Sequence, residues 1–378
     1  MKPTNKGYEV TSAEPADGPA LLRLIESDAS KGGLAIVASR RPDPVGSFAL
    51  ESKKTSLTIL RDPVSGTIRF MAAFIPRRVF IGGHPVELVY VSSVRKQAGT
   101  LSGVNVFHQA YARELATRGA FGGFCSILAE NRAAAALFAG KKHRILPQLK
   151  PLCDSTTFLI NPRALAKMTL ARGRNADSHP TKETLRATVP KEADLPEVLD
   201  FLQTEGRRYD LFPVVENLSD TCSGLSLEDC VLVRDQGGAI QAFGALWDQR
   251  HYRQSIIRGY RGIYRWVRPF SWLIKRLGYI PLPPAGSTVP VRMLSLLLAQ
   301  PGADDAYCLL LTALSDMARQ RGCPIVAVSI SHNNACLPLW QRLRSLRVDS
   351  TIYTYETPGN TAPLPDGSRE IQLESGLL

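Results

Sequence analysis

Apolar and polar residues alternate from Tyr8 to Ser12, which predicts a strand. The Asp17-Gly18-Pro19 step after it opens a helix, with Asp17 capping and Pro19 in the first turn, where its missing N–H costs nothing. Two more strands, "LTIL" and "IRFMAAFI", flank a tight turn at Pro63 to Gly66, and "VELVYVSSV" supplies a third. Helical spacing takes over at Val106, Ala110 and Leu115, one face of an amphipathic helix that stops at Gly119, a position suited to a left-handed cap. The run "GFCSIL" reads as a buried strand, Asn131 as the cap of a helix "NRAAAALFA", and "STTFLI" as a closing strand.

The same succession occurs again. At an offset of 203, Ser92 matches Ser295, Gly99 matches Gly302, Gly119 matches Gly322, Ser126 matches Ser329 and Asn131 matches Asn334, all without a gap. Upstream, Tyr8 to Leu24 resembles Leu185 to Phe201, and Arg61-Asp62 matches Arg234-Asp235; downstream, "DSTTFLI" from Asp154 matches "DSTIYTY" from Asp349. An offset that holds over long runs and changes only at loops is the mark of an internal duplication.

Composition adds limits. A chain of 378 residues exceeds the size at which one core stops growing, so two similar domains fit it. With 44% hydrophobic and 21% charged residues it has the make-up of an ordinary globular protein. The start "MKPTNKGYEV" lacks an apolar signal-peptide core and no apolar run is long enough to span a bilayer, so a soluble, cytoplasmic protein is expected. Seven Cys without a Cys-x-x-Cys pair read as reduced, mostly buried thiols. Neither metal-ligand spacing nor a Gly-x-Ser-x-Gly or Gly-x-x-x-x-Gly-Lys motif occurs, so no metal or nucleotide enzyme is indicated.

The order of elements in each half, with "VSSVR" leading to a helix and "FCSILAENRAAAALF" after it, resembles the GNAT superfamily of acyl-CoA N-acyltransferases. The resemblance covers both halves. It implies an α/β (α+β) fold of two GNAT-like units, each a mixed, mostly antiparallel twisted sheet flanked by helices. The units are residues 1–161 and 184–357, joined by a linker at 162–183, and a tail of 358–378, rich in Gly, Pro and Ser early on, is expected to be partly disordered.

The resemblance also implies a cofactor, acetyl-CoA or another acyl-CoA, whose pantetheine pairs with a splayed central strand and whose pyrophosphate meets a loop and helix N-terminus. In the first half those positions are Val94, Arg95, Gly99, Thr100, Ser102, Gly103 and Val104, with Asn131 opening the later helix. The family's Arg/Gln-x-x-Gly-x-Gly/Ala loop is incomplete there, and Gly99 and Gly103 could equally serve a turn, as Asn131 could serve only as a helix cap. In the second half Asp304 and Asp305 stand where the helix begins and would repel a pyrophosphate, so the first half is the expected cofactor site.

For chemistry, Glu87 on the strand before the loop is the candidate base, against a plain surface role, and the Tyr that the family often uses as an acid is missing, with Phe138 and Trp340 nearby instead. The acceptor is a small-molecule or peptide amine. An acyl-carrier-protein-dependent or aminoacyl-dependent transferase and a catalytically silent binding module are the alternatives.

The halves differ by about thirty residues, an insertion at about 249–285. Eight basic residues and no acid lie between Arg250 and Arg276, within a chain of net charge +12. Arg261, Arg265 and Arg268 share a helical face beside Tyr260, Ile263, Tyr264, Val267 and Phe270, a pattern suited to an acidic partner such as an acyl carrier protein or an anionic membrane, or to a lid packed on the other half; nucleic acid is not the expected partner.

Overall fold

The computed structural model describes residues 8–27, 33–97, 103–132, 134–135, 148–166, 185–277 and 279–378. Gly99, Thr100, Ser102, most of the "NRAAAALFA" helix and most of the 162–183 linker lie outside the described residues.

Among the described residues fourteen strands form: β1 (Glu9–Ser12), β2 (Leu34–Ser39), β3 (Ser56–Arg61), β4 (Ile68–Ile81), β5 (His84–Lys96), β6 (Gly122–Leu128), β7 (Lys150–Ile160), β8 (Arg186–Thr188), β9 (Cys230–Arg234), β10 (Ile240–Trp247), β11 (Gln254–Tyr260), β12 (Val291–Ala299), β13 (Ile325–Ser331) and β14 (Ser345–Glu356). Twelve of them make one sheet in the order β1-β3-β4-β5-β6-β14-β7-β13-β12-β10-β9-β8. The order is symmetric about its centre, as the duplication requires, but the last strands have changed places. β14 of the second half completes the first half beside β6, and β7 of the first completes the second beside β13.

At the centre β7 and β14 pair antiparallel with Ser155 opposite Ser350. Their hydroxyls hydrogen-bond at 2.8 Å, Thr156 donates to Asp349 at 2.7 Å, and Thr351 donates to Asp154 at 2.7 Å. The matched residues Asp154 and Asp349, Ser155 and Ser350, Thr156 and Thr351 therefore exchange the same bonds across a pseudo-twofold axis. Hydrogen bonds of this kind contribute about 1 kcal/mol each, more where a carboxylate accepts.

Helices cover the sheet. In the first half α1 (Gly18–Ile25) and α2 (Pro44–Glu51) pack with Phe48, Met71, Ile75, Tyr90 and Phe124, while α3 (Gly103–Arg118) meets Phe70, Phe74, Val91 and Tyr355. In the second, α4 (Leu195–Gly206) and α5 (Asp304–Gln320) repeat this arrangement. The α2 helix has a readable start: the Asp43 side chain accepts from the Val45 and Gly46 N–H groups, both at 3.0 Å, and Pro44 takes the first turn.

Two segments differ from expectation. The tail is packed rather than disordered: Ile371, Leu373, Ser375 and Leu377 are buried, because alternate residues of "IQLESGLL" insert into both halves. The insertion starts as a strand, β11, which pairs with β2 of the first half in a separate two-stranded sheet. Only then do two short helices follow, Ile263–Val267 and Ser271–Arg276. No helix among the described residues is long and apolar enough to cross a membrane.

Strand exchange leaves each half with an unmade edge when its partner is removed. Residues 1–161 or 184–378 expressed alone are expected to aggregate or lack cooperative melting, and to regain it when co-expressed. Circular dichroism of the separate and combined fragments checks this, and a cooperatively melting lone half would contradict the exchanged sheet.

Candidate active site

Parallel strands β5 and β6 stay together for two pairs only, Val89 with Gly123 and Tyr90 with Phe124, and β12 and β13 for three, ending at Met293 with Ala327. Beyond those pairs the strands part. Each parting is marked by a bulge with a non-glycine residue at positive φ, Ser93 at 51° and Leu296 at 53°, which are the same position at the offset of 203. Such a conformation costs about 1–3 kcal/mol and is kept where surrounding structure over-determines it. The bulge turns backbone groups out of the ladder and towards the gap.

In the second half the tail takes up those groups. Glu374 accepts the Leu296 N–H at 2.7 Å, and the Ser375 hydroxyl accepts the Ser329 N–H at 2.7 Å. The Ser331 hydroxyl donates to the Ile371 carbonyl at 2.5 Å, and Gly376 lies so close to Trp247 that a Cβ would sit 2.3 Å from the ring. The second gap is thus filled by residues 371–377. Among the described residues nothing comparable enters the first gap; there β14 contributes Tyr355, whose buried hydroxyl donates to the Val89 carbonyl at 2.9 Å just before β5 and β6 separate. Gly123 leaves the room for that phenol, since a Cβ would come 2.3 Å from its oxygen.

A cleft of about 420 Å³ opens between the halves below this point. Its apolar wall includes Phe124, Val79, Leu211, Leu373 and Leu377. Three exposed ion pairs surround it: Lys54 with Glu87 at 3.3 Å, Lys53 with Asp220 at 3.5 Å, and Arg78 with Glu216 at 2.5 Å. Exposed pairs like these contribute at most about 1 kcal/mol. A larger surface hollow of about 640 Å³ around Pro162, Arg319 and Cys323 lies away from both gaps, and nothing in its lining suggests chemistry.

The inner polar group of the cleft is of another kind. Glu51, at the last turn of α2, is buried between Arg40 at 2.5 Å and Arg77 at 2.7 Å, and Arg77 also donates to the Glu51 carbonyl at 2.7 Å. Burial pushes the Glu51 carboxyl up, but the fields of Arg40, Arg77 and Arg253 outweigh it and hold it at about 2. Arg253, half-buried on the insertion just before β11, adds its field to Glu51 from outside the cleft lining, and among the described residues it has no carboxylate in ion-pair contact. Tyr90 stands beside it, its ring 5.0 Å from that of Phe124, and burial pushes its phenol up to about 12. Among the described residues that hydroxyl makes no hydrogen bond. The Glu374 carboxyl, also on the cleft wall, is raised by burial.

The residues singled out from sequence fall as follows. Val94 and Arg95 lie on β5 past the bulge, with Arg95 donating to the Val94 carbonyl at 3.0 Å, and Gly103 and Val104 begin α3. Asn131 is exposed and its side chain accepts the Ala134 N–H at 3.2 Å, a helix-cap contact. Glu87 is exposed on the rim, not deep in the gap. Glu51, Arg77, Tyr90, Arg253 and Glu374 were not anticipated; the Asp43-Pro44 cap was the signal for α2 and hence for Glu51. Among the described residues no group of three or more His, Cys, Asp or Glu could hold a metal ion.

Neither a family model nor a curated protein sequence matches the chain. Solved structures do. Saccharomyces cerevisiae N-myristoyltransferase with bound myristoyl-CoA superposes with a TM-score of 0.58 at 12% identity, over 98% of this chain and 90% of that one. A GCN5-related N-acetyltransferase from Sphaerobacter thermophilus gives 0.53 at 13% identity, over 94% and 98%. The GCN5-related glucosamine N-acetyltransferase region of a fungal multi-domain GH3 β-N-acetylglucosaminidase gives 0.62 at 12% identity, over 93% of this chain and 38% of that one. The chain has the fold of the GNAT superfamily of acyl-CoA N-acyltransferases, with two such units in tandem.

Glu51 answers to two arginines at once, so its neutralisation leaves both exposed to low dielectric. Glu51→Gln is expected to cost about 3–5 kcal/mol in urea unfolding at pH 7. Because its folded pKa lies below the unfolded value, the contribution of Glu51 is complete above about pH 4.5 and is lost as pH falls towards about 2. The gap between wild type and variant should therefore narrow at pH 3, and a constant gap would assign the loss to packing alone.

Proposed function

We propose that the protein is an N-acyltransferase that takes an acetyl or longer acyl group from a CoA thioester bound in the first half and transfers it to an amine held in the cleft between the halves. One observation carries the reading: the two gaps are copies of one feature, and residues 371–377 occupy the second while no described residue does the same in the first. Backbone groups beside the Ser93 bulge remain for a pantetheine arm, Val94 and Arg95 continue that edge, and the loop to Gly103 and Val104 with Gly99, Thr100 and Ser102 is proposed to receive the pyrophosphate at the start of α3. Asn131 is proposed to support the loop after β6. The myristoyl-CoA of the yeast neighbour is a precedent for an acyl-CoA on this fold, and the acyl length here is left to experiment.

Transfer needs an uncharged amine, attack on the thioester carbonyl and protonation of the departing thiolate. Glu87 at the rim, paired with Lys54, is proposed to take the proton from an entering ammonium ion. Tyr90, held neutral by burial and with its hydroxyl unengaged, can supply a proton to the thiolate.

Calorimetry with CoA, acetyl-CoA and longer acyl-CoAs is expected to give one saturable site, abolished by Gly103→Glu and untouched by Asp304→Asn. Absence of binding by every thioester would remove the first-half cofactor site. With a panel of amino acids and peptides as acceptors and free thiol as the readout, Glu87→Gln and Tyr90→Phe should each lower kcat by about a hundredfold while leaving acyl-CoA affinity unchanged. Unaltered turnover in either variant would withdraw that residue's role.

A further inference from the structure

From Ile263 to Leu277 the insertion follows an almost unbroken helical path, an α-helix, a turn of 3-10 helix at Arg268–Phe270, and a second α-helix. It carries three rows of side chains. Tyr260, Tyr264, Val267, Ser271 and Ile274 repeat at steps of four and three and are half-buried against the protein. The Tyr264 ring sits over Gly33, the Tyr260 hydroxyl donates to the Pro283 carbonyl at 2.5 Å, and the Ser271 hydroxyl accepts the Leu282 N–H at 2.7 Å. The Tyr264 contact at Gly33 and the pairing of β11 with β2 fix the segment to the first half, and the other two bonds tie it to the returning residues 282–283 of the insertion.

The second row is the unusual one. Ile263, Trp266, Phe270, Leu273 and Leu277 repeat at steps of three and four and are 71%, 77%, 57%, 40% and 62% exposed. Trp272, at 65%, stands beside them. The third row, Arg261, Arg265, Arg268 and Arg276, is exposed, and among the described residues none of the four has a carboxylate partner. No Asp or Glu occurs between Asp248 and Asp304. Isolated exposed apolar residues are ordinary, but a whole helical row of them on one element marks a surface that is covered in use.

We infer that this segment lies in the headgroup region of an anionic phospholipid bilayer, with Ile263, Trp266, Phe270, Leu273 and Leu277 entering the acyl boundary and the flanking arginines on lipid phosphates. Charge complementarity selects that occupant: among the described residues the charged groups bordering the row are all guanidinium groups, and interfacial Trp with Arg suits the headgroup level. A nucleic-acid groove would leave Ile263, Leu273 and Leu277 without a partner, since aliphatic side chains do not stack on bases. The inference does not depend on acyl transfer and would stand if that reading failed.

The protein carries four Trp, of which Trp247 and Trp340 are buried, so its exposed fluorescence reports on Trp266 and Trp272. The full chain is titrated with phosphatidylcholine vesicles and with vesicles containing one quarter phosphatidylglycerol. Expected are a blue shift and co-sedimentation with the anionic vesicles, at least about tenfold weaker with phosphatidylcholine alone and weakened by salt. Trp266→Ser with Phe270→Ser, and separately Arg261→Ser with Arg265→Ser and Arg268→Ser, should each reduce partitioning about tenfold or more, with unchanged melting because these side chains are exposed. No partitioning of the wild type into anionic vesicles overturns the inference. So does saturable binding to a purified acyl carrier protein through the same residues without vesicle binding.

Discussion

The antiparallel pairing of β7 with β14 is the constraint on which the remaining structure rests. Each of these strands belongs by sequence to one half and by hydrogen bonding to the sheet of the other, and they meet at Ser155 and Ser350. A pair of independent units joined by a linker would leave the relative position of their sites to the linker. Exchange instead welds the halves along a full strand, so the gap after Tyr90 and the tail-filled gap after Met293 keep a fixed geometry, and a cleft between them can hold a defined shape. Preorganisation of that kind is what transfer between two bound reactants requires.

Duplication supplied two equal gaps, and divergence made them unequal. Leu296 and Ser93 retain the same strained conformation, which indicates that the backbone device is older than the difference in use. On the second copy Glu374 takes the bulge N–H and fills the gap, and Asp304 and Asp305 open the adjacent helix. These features all disfavour an anionic ligand there. On the first-half side Arg77 lines the cleft and shares Glu51 with Arg40 behind it, while the field of Arg253 on the insertion also acts on Glu51. Charge therefore separates the two copies more sharply than shape does.

Much of the fold was legible because duplication lets each half check the other. The bulge-bearing strands, the helix ending before Gly119 and the closing strands follow from periodicity and a constant offset. Strand exchange was not legible, since β7 and β14 have the same pattern whichever half they join, and local sequence carries no record of the partner chosen. The tail was misread because its early Gly, Pro and Ser suggest disorder, while the alternation in "IQLESGLL" that packs it is only eight residues long. At the site, Val94, Arg95 and Gly103 lie where a motif on β5 and α3 would put them. Glu51 and Tyr90 were hidden because their environment comes from Arg40, Arg77 and Arg253, three distant segments.

The insertion ties these observations together. It begins inside the molecule, where the Gln249 side chain donates to the Gly376 carbonyl at 2.6 Å and to the Tyr252 hydroxyl at 2.8 Å, so the tail that fills the second gap is held by the element that breaks the symmetry. One residue further on, Arg253 adds its charge to the field on Glu51 and Tyr90. The chain then pairs with β2 and emerges as the exposed aromatic and basic helical path. Because β2 and α2 are neighbours in the first half and α2 carries Glu51, the exposed row and the cleft are referenced to the same few elements. A surface held by that row would therefore stand at a fixed distance and orientation from the cleft. Under the proposed acyl transfer, that arrangement would favour a reactant arriving along the surface over one captured at random from solution.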